Sequence, residues 1–296
     1  MESIARKTKE RQRLPIWLRR ALPTTNTFAQ TRGLLDELNL HTVCESAKCP
    51  NHWECWSKGT ASFMIAGDRC TRACGFCAIS TQKPKALDPR EPERVAEAAT
   101  RMKLKHVVIT AVARDDLPDG GAIHFRDTIE AIRLRNSEMI IEVLTPDFLL
   151  KENAVDSVLS AKPHIFNHNM ETIPRLYREA RPGANYEWSL KLLKDYKALN
   201  PHVPTKSGLM VGLGETKEEL LRTLDDLRAH DVDMLTVGQY LQPSPSHLAV
   251  ERFVHPDEFQ EYTEYAESIG FTQAACGPLV RSSYHADKQA RGEDIT

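Results

Sequence analysis

No stretch of this 296-residue chain approaches the ~20 consecutive apolar residues that would cross a bilayer. Charge of one sign is lacking too: 39 Lys and Arg stand against 41 Asp and Glu, for a net charge of −2. No global field recruits nucleic acid or a membrane surface, so neither partner is expected. Internal repeats and low-complexity tracts are missing. With 27% charged and 41% hydrophobic residues, the composition is that of an ordinary soluble globular protein. Residues 1–20 are basic (Arg6, Lys7, Lys9, Arg11, Arg13, Arg19, Arg20) but contain no apolar core, which argues against a secretory signal. Glu2 and Glu10 count against an organelle-targeting segment, and the stretch reads as a solvated basic arm leading into Pro15 and Trp17. The 7 cysteines are an odd number, a poor fit to a closed disulfide set. Clustered thiols without a signal peptide point to a reducing compartment, and the cytoplasm is expected.

From Ser62 onward, short runs rich in Val, Ile, Leu and Met alternate with helical patterns. Strands are predicted at 63–65, 105–112, 139–144, 164–167, 207–212 and 234–241. Helices are predicted at 92–103, 122–135, 148–161, 173–179 with 187–199, 217–230 and 257–269, with Thr216 as a helix cap. Repeated β-α units wind a parallel sheet in one direction. Six units fall short of the eight of a closed barrel. The expected fold is therefore α/β, an open partial (β/α)6 barrel; a doubly wound flat sheet is the alternative that local pattern does not separate. Residues 1–61 read as an N-terminal cysteine-rich cap, 62–270 as the barrel, and 271–296 as a short C-terminal extension.

Six of the cysteines form two triplets. Cys70, Cys74 and Cys77 have C-x3-C-x2-C spacing and follow the first predicted strand, which puts them at the C-terminal mouth of a parallel barrel. Three thiolates hold three irons of a [4Fe–4S] cube and leave the fourth open for chemistry. Cys44, Cys49 and Cys55 have C-x4-C-x5-C spacing, again without an obvious fourth cysteine. Structural zinc is the competing reading, but it wants four ligands. A two-cluster electron carrier, with closed four-ligand sites, is another.

The triplet Cys70, Cys74 and Cys77, read with Phe76 and its place after the first strand, resembles the radical S-adenosylmethionine (radical SAM) enzymes. The segment C-E-S-A-K-C-P-N-H-W-E-C-W and the tail Arg281-Ser282-Ser283-Tyr284-His285-Ala286 narrow this to a resemblance to the lipoyl synthases. Arg114 to Gly121, Phe166 to Thr172 and Gly238 to Ser244 agree, so the likeness runs from about Leu14 to Ala286. It implies two [4Fe–4S] clusters and S-adenosylmethionine, two per product, cleaved to a 5′-deoxyadenosyl radical. Cys70, Cys74 and Cys77 would hold the first cluster. Cys44, Cys49, Cys55 and Ser283 would hold an auxiliary one, with Ser282 as the competing serine and Cys276 as a chemically reasonable rival. The auxiliary cluster is implied to be the sulfur donor, inserting sulfur at C6 and C8 of an octanoyl chain on a lysine of a lipoyl carrier domain. A radical enzyme sulfurating a free small molecule is the nearest rival.

The resemblance also grades the S-adenosylmethionine contacts. Phe76 matches the aromatic beside the adenine. Gly208 to Glu215 resembles the family's G-x-I-x-G-x-x-E stretch, which brings in Gly212. Asn169 and Glu171, just past a strand end, are candidates for the ribose hydroxyls or the amino group, and Ser189 is a further one. Arg114 is read as meeting a carboxylate, a surface ion pair with Asp115 or Asp116 being the bland version. Cys276, beside Ala274 and Ala275, reads as a buried structural thiol. His52, His106, His124, His164 and His168 show no metal spacing and read as surface or strand-end residues. Trp53 and Trp56 are expected to pack the cap on the barrel, and residues 44–55 are expected over its mouth. An electron donor and iron–sulfur assembly or carrier proteins are the other partners implied, and a monomer is expected.

Overall fold

The structure is a computed structural model that describes residues 13–19, 26–293 and 295; the rest of the basic arm lies outside them. The cap comprises helix α1 (Asn26–Glu37), strand β1 (His41–Thr42) and helices α2 (Val43–Ser46) and α3 (His52–Ser57). Then β2 (Ser62–Ile65), β3 (His106–Ala111), β4 (Ile140–Leu144), β5 (Ile165–Asn167), β6 (Thr205–Val211), β7 (Met234–Gln239) and β8 (Gln273–Gly277) follow. They are joined through α4 (Glu91–Arg101), α5 (Ala122–Arg135), α6 (Ala154–Ser160), α7 (Tyr177–Ala180) with α8 (Tyr186–Leu199), α9 (Lys217–Ala229) and α10 (Pro256–Ser268). A last helix, α11, spans Ala286–Ala290. No helix among the described residues is long and apolar enough to cross a membrane.

The strands pair in sequence order, β1 antiparallel to β2 and all later pairs parallel. A doubly wound sheet would reverse its order at a switch point; this one does not. No ladder joins β8 back to β1 or β2 among the described residues, so the barrel is open. All six predicted strands are present. The sheet continues one parallel strand further than expected, because the C-terminal extension begins with β8. Its sequence, Gln-Ala-Ala-Cys-Gly, has no β-branched or aromatic residue, so it carries little strand signal.

Period-2 alternation divides each strand between two environments. Phe63, Ile109, Val143 and Phe166 stand in register across β2 to β5, are fully buried, and pack against the helices. Phe166 stacks on Tyr196 of α8 with ring centroids 3.8 Å apart. The alternate positions face the lumen, where Thr110, Gly208, Thr236 and Gly238 are small. In a filled barrel these positions carry large branched side chains; here they leave space.

The segment after β8 turns back across that lumen. A Cβ at Gly238 would overlap the Val280 carbonyl, so only glycine admits this chain at its present distance. The segment is also held by the cap: Asn51 Nδ2 donates to the Leu279 carbonyl at 2.6 Å, and the Tyr284 hydroxyl bonds Glu54 at 3.1 Å. Gly238→Ala is expected to leave the barrel folded and to cost residues 278–285 about 1–3 kcal/mol of protection in amide hydrogen exchange, as overpacking does. Gly33→Ala, whose Cβ meets nothing within 4 Å, is the control and leaves their protection unchanged.

Candidate functional site

The first triplet loop leaves β2 and is clamped from two sides. Gly75 N–H donates to the Ala180 carbonyl (2.8 Å), and the Gly75 carbonyl accepts from Leu248 N–H (2.9 Å). A Cβ at Gly75 would lie 2.9 Å from the Leu248 side chain, so the fit depends on glycine. His247 Nε2 bonds the Cys77 carbonyl at 2.9 Å. Inside the loop, Arg72 N–H points at the Cys70 sulfur (3.4 Å), and its guanidinium bonds both Asp115 (2.9 Å) and Asp147 (2.8 and 2.5 Å). Asp147 is fully buried and also caps the turn Phe148–Leu150, in which all three residues have left-handed backbone, with φ near 50°. Such backbone costs roughly 1–2 kcal/mol per residue, and it gathers beside functional sites.

The second triplet lies elsewhere than expected. Because β1 runs antiparallel to β2, with Thr42 opposite Phe63, the chain reaches Cys44 at the N-terminal end of β2. The Ser62 amide there points at the Cys44 thiol. The cap cysteines are therefore not over the mouth that holds Cys70, Cys74 and Cys77. The four-residue strand β2, ~10 Å long, separates the two levels.

One cavity of about 330 Å³ connects them. Cys70, Cys74, Cys77, Phe76, Asn169 and Glu171 line one end, and Cys44, Cys49, Arg281 and Ser283 the other. A second cavity of about 500 Å³ reaches Cys44, Cys49, Cys55 and Ser283 from the N-terminal side of the sheet. Cys44, Cys49, Arg281 and Ser283 are thus the partition between the two cavities.

All of these cysteines are free thiols. Burial pushes Cys44 and Cys74 up to about 11, and Cys55 and Cys77 up to about 12. Neighbouring thiols in each triplet push the same way. Thiolates are therefore disfavoured here until a metal centre supplies positive charge. Among the described residues no group of three His, Cys, Asp or Glu side chains has the spacing to hold one metal ion. Three thiols per triplet, close enough to raise one another, are a donor set that fits three corners of a [4Fe–4S] centre.

The remaining sequence candidates divide. Asn169 Nδ2 donates to Glu171 (3.1 Å), and the Ser282 hydroxyl donates to Asn169 Oδ1 (2.8 Å). Burial raises the Glu171 pKa and Arg181 opposes it. Ser282 is thereby engaged with Asn169, whereas Ser283 borders both cavities. Ser189 is fully buried one layer behind the wall, bonded to His168 Nε2 at 2.9 Å, and does not line the cavity. Gly212 is also outside it: its N–H donates to Glu215 (2.6 Å), and a Cβ would overlap Gln239. Arg114 is buried rather than superficial, paired with Asp116 at 2.8 Å and donating to the Ala66 and Lys85 carbonyls. Cys276 sits in the apolar core behind β8, where burial raises it to about 12.

Several residues escaped sequence reading. Arg181, buried, donates to the Asn169 and Met170 carbonyls (2.9 and 3.1 Å) and lines the cavity. His168 stands at the end of β5, a strand-end position as expected, but it is buried between the Thr145 carbonyl and Ser189, and burial lowers its pKa to about 4. His124 is likewise buried, against Glu91 at 2.6 Å. Trp56 is buried in the main core, whereas Trp53 stacks on Phe28 of the cap and stays 41% exposed.

Comparison with known proteins identifies the family and the fold. The family model of the radical SAM superfamily matches residues 64–227, and that of the N-terminal domain of lipoyl synthase matches residues 1–49. The lipoyl synthase of Laribacter hongkongensis is 57% identical over 284 residues, 96% of this chain and 90% of its own. That of Psychromonas ingrahamii is 57% identical over 286 residues, 95% of this chain and 88% of its own. Among solved structures, HydG, a maturase of the [FeFe]-hydrogenase, superposes with a TM-score of 0.53 at 15% identity, over 92% of this chain and 77% of its own. Methylornithine synthase does so at 0.54 and 13%, over 84% and 81%. These two speak for the fold alone. With relatives matched over nearly their whole length, the chain belongs to the lipoyl synthase family of radical SAM enzymes.

Proposed function

We propose that this chain is a radical SAM sulfurtransferase that inserts two sulfur atoms, at C6 and C8, into an octanoyl chain amide-linked to a lysine of a lipoyl carrier domain. The observation that carries this reading is the lumen: one apolar-walled cavity runs between the two cysteine triplets, across a strand ~10 Å long. An extended eight-carbon chain is of comparable length. Cys70, Cys74 and Cys77 would hold the first [4Fe–4S] cluster, and Cys44, Cys49 and Cys55 with Ser283 the auxiliary one. When bound, the first cluster with S-adenosylmethionine supplies hydrogen-atom abstraction from unactivated carbon, and the auxiliary cluster supplies sulfur.

The chain's own residues bind, orient and exclude water. Phe76 packs with Leu213 and Tyr240 and offers an apolar face for the adenine. Glu171 and Asn169 accept from an amino group or ribose hydroxyls, and Arg181 places a cation beside them. Met64, Leu144 and Leu209 provide apolar wall for a hydrocarbon. The carrier domain, an electron donor and iron–sulfur carrier proteins are the partners in this reading, with a monomer working in the cytoplasm.

Arg72 has a distinct task. Its pairing with Asp115 and Asp147 overcomes burial and holds the guanidinium charged, while Asp147 is held below the usual carboxylate range. The loop between Cys70 and Cys74 is thereby tied to the ends of β3 and β4. Breaking a buried pair by removing one partner costs about 3–5 kcal/mol, because the other charge is left alone.

Three outcomes are expected. Anaerobic incubation of reconstituted protein with an octanoylated carrier domain, S-adenosylmethionine and a reductant should give a mass gain of two sulfurs for two hydrogens, together with 5′-deoxyadenosine. Deoxyadenosine without the mass gain would rule out this substrate or this sulfur source. Cys74→Ala should abolish both products, whereas Cys49→Ala should still form deoxyadenosine and insert no sulfur; loss of cleavage in a folded Cys49→Ala protein with its first cluster intact overturns the assignment. Arg72→Met should lower the unfolding free energy of the metal-free chain by about 3–5 kcal/mol in urea and empty the first site on reconstitution, as read by iron content.

A further inference from the structure

At the N-terminal level of the lumen lies a polar cluster that the reaction does not use. Lys206 of β6 and Glu142 of β4 both have fully buried side chains, paired at 3.0 Å. Glu142 also accepts from Asn167 Nδ2 at 3.3 Å, and His106 Nε2 stands 3.3 Å from its other oxygen. A buried ion pair is a poor device for stability, since apolar side chains of similar volume serve as well or better. Its value lies in direction. Lys206 Nζ sends a second bond, 2.6 Å long, to the carbonyl oxygen of Ser282.

That bond reaches across 76 residues, from the barrel to the C-terminal segment. The Ser282 hydroxyl is fixed separately, to Asn169 Oδ1 at 2.8 Å. Gripped at carbonyl and side chain, Ser282 has little freedom, and the planar peptide that follows fixes where Ser283 begins. Ser283 then chooses only among staggered rotamers within the partition it shares with Cys44 and Cys49. A neutral or alkoxide oxygen is a weaker iron ligand than thiolate, so it depends more on being held in place.

We infer that Lys206, anchored by Glu142, is a positioning residue that sets the Ser282–Ser283 peptide and so presents the Ser283 hydroxyl to the auxiliary cluster. This rests on the reading of Ser283 as a cluster ligand. Neither residue touches the lumen chemistry; the effect passes through one carbonyl.

The test uses full-length protein carrying Cys74→Ala, so that the auxiliary cluster is the one followed, and measures the rate at which a chelator removes its iron. Adding Lys206→Met is expected to speed release roughly tenfold, the usual scale for groups that orient a ligand. Ser283→Ala should speed it similarly. The two together should be no faster than Ser283→Ala alone, because Lys206 acts through that hydroxyl. A parental rate in Lys206→Met, or effects that multiply in the double variant, overturns the inference. Should Lys206→Met fail to fold by circular dichroism, Lys206→Met with Glu142→Leu removes both charges and carries the same comparison. A parent that takes up no iron overturns the underlying reading, and this inference with it.

Discussion

Parallel strands that follow one another in sequence order curl the sheet, and a curled sheet has an inner face that must be filled or left open. Here Thr110, Gly208, Thr236 and Gly238 leave it open, while large apolar residues on the outer face hold the helices. The rest of the site depends on that asymmetry. The thin inner wall makes the lumen, and the bare backbone at Gly238 lets the C-terminal segment lie across it. Cys70, Cys74 and Cys77 at one end of β2, and Cys44 and Cys49 at the other, then line a single cavity. Filling the inner face, as a closed barrel does, would isolate one triplet from the other.

Two buried ion pairs work at the two ends of this space and do different things. Arg72 with Asp115 and Asp147 ties the first cysteine loop to the strand ends beneath it. Lys206 with Glu142 ties the barrel to the segment bearing Ser283. Each connects elements far apart in sequence by directional bonds, which apolar packing does not supply. The left-handed turn at Phe148–Leu150, itself unfavourable backbone, is held beside the first of them.

Much of this was legible in the sequence because its signals are local. Cysteine spacing and the run of β-α units are read within a few tens of residues, and they give both triplets and a parallel α/β sheet, while its strand order decides for the partial barrel over the doubly wound sheet. β8 stands outside the predicted barrel because its small residues give little strand pattern. The placement of the cap is not legible, because a two-residue antiparallel strand, His41–Thr42, decides which end of the barrel Cys44 reaches, and no periodicity marks so short an element. Ser189 illustrates the opposite failure: its helical setting was clear, but whether its hydroxyl faces the lumen or His168 depends on packing between α8 and β5. Arg72, Asp147, Lys206 and Glu142 look like ordinary charged residues until the fold brings them together.

The bonds from Asn51 to Leu279 and from Glu54 to Tyr284 span 228 and 230 residues. A chain emerging from the ribosome at ~5–20 residues per second completes Cys70, Cys74 and Cys77 early, next to the strand that precedes them. The partition formed by Cys44, Cys49 and Ser283 closes only when residues 279–284, some 230 positions downstream of Asn51 and Glu54, fold back. Its order of assembly is thus written into the covalent chain: one cysteine set is local in sequence, whereas the other waits for a distant downstream segment to return.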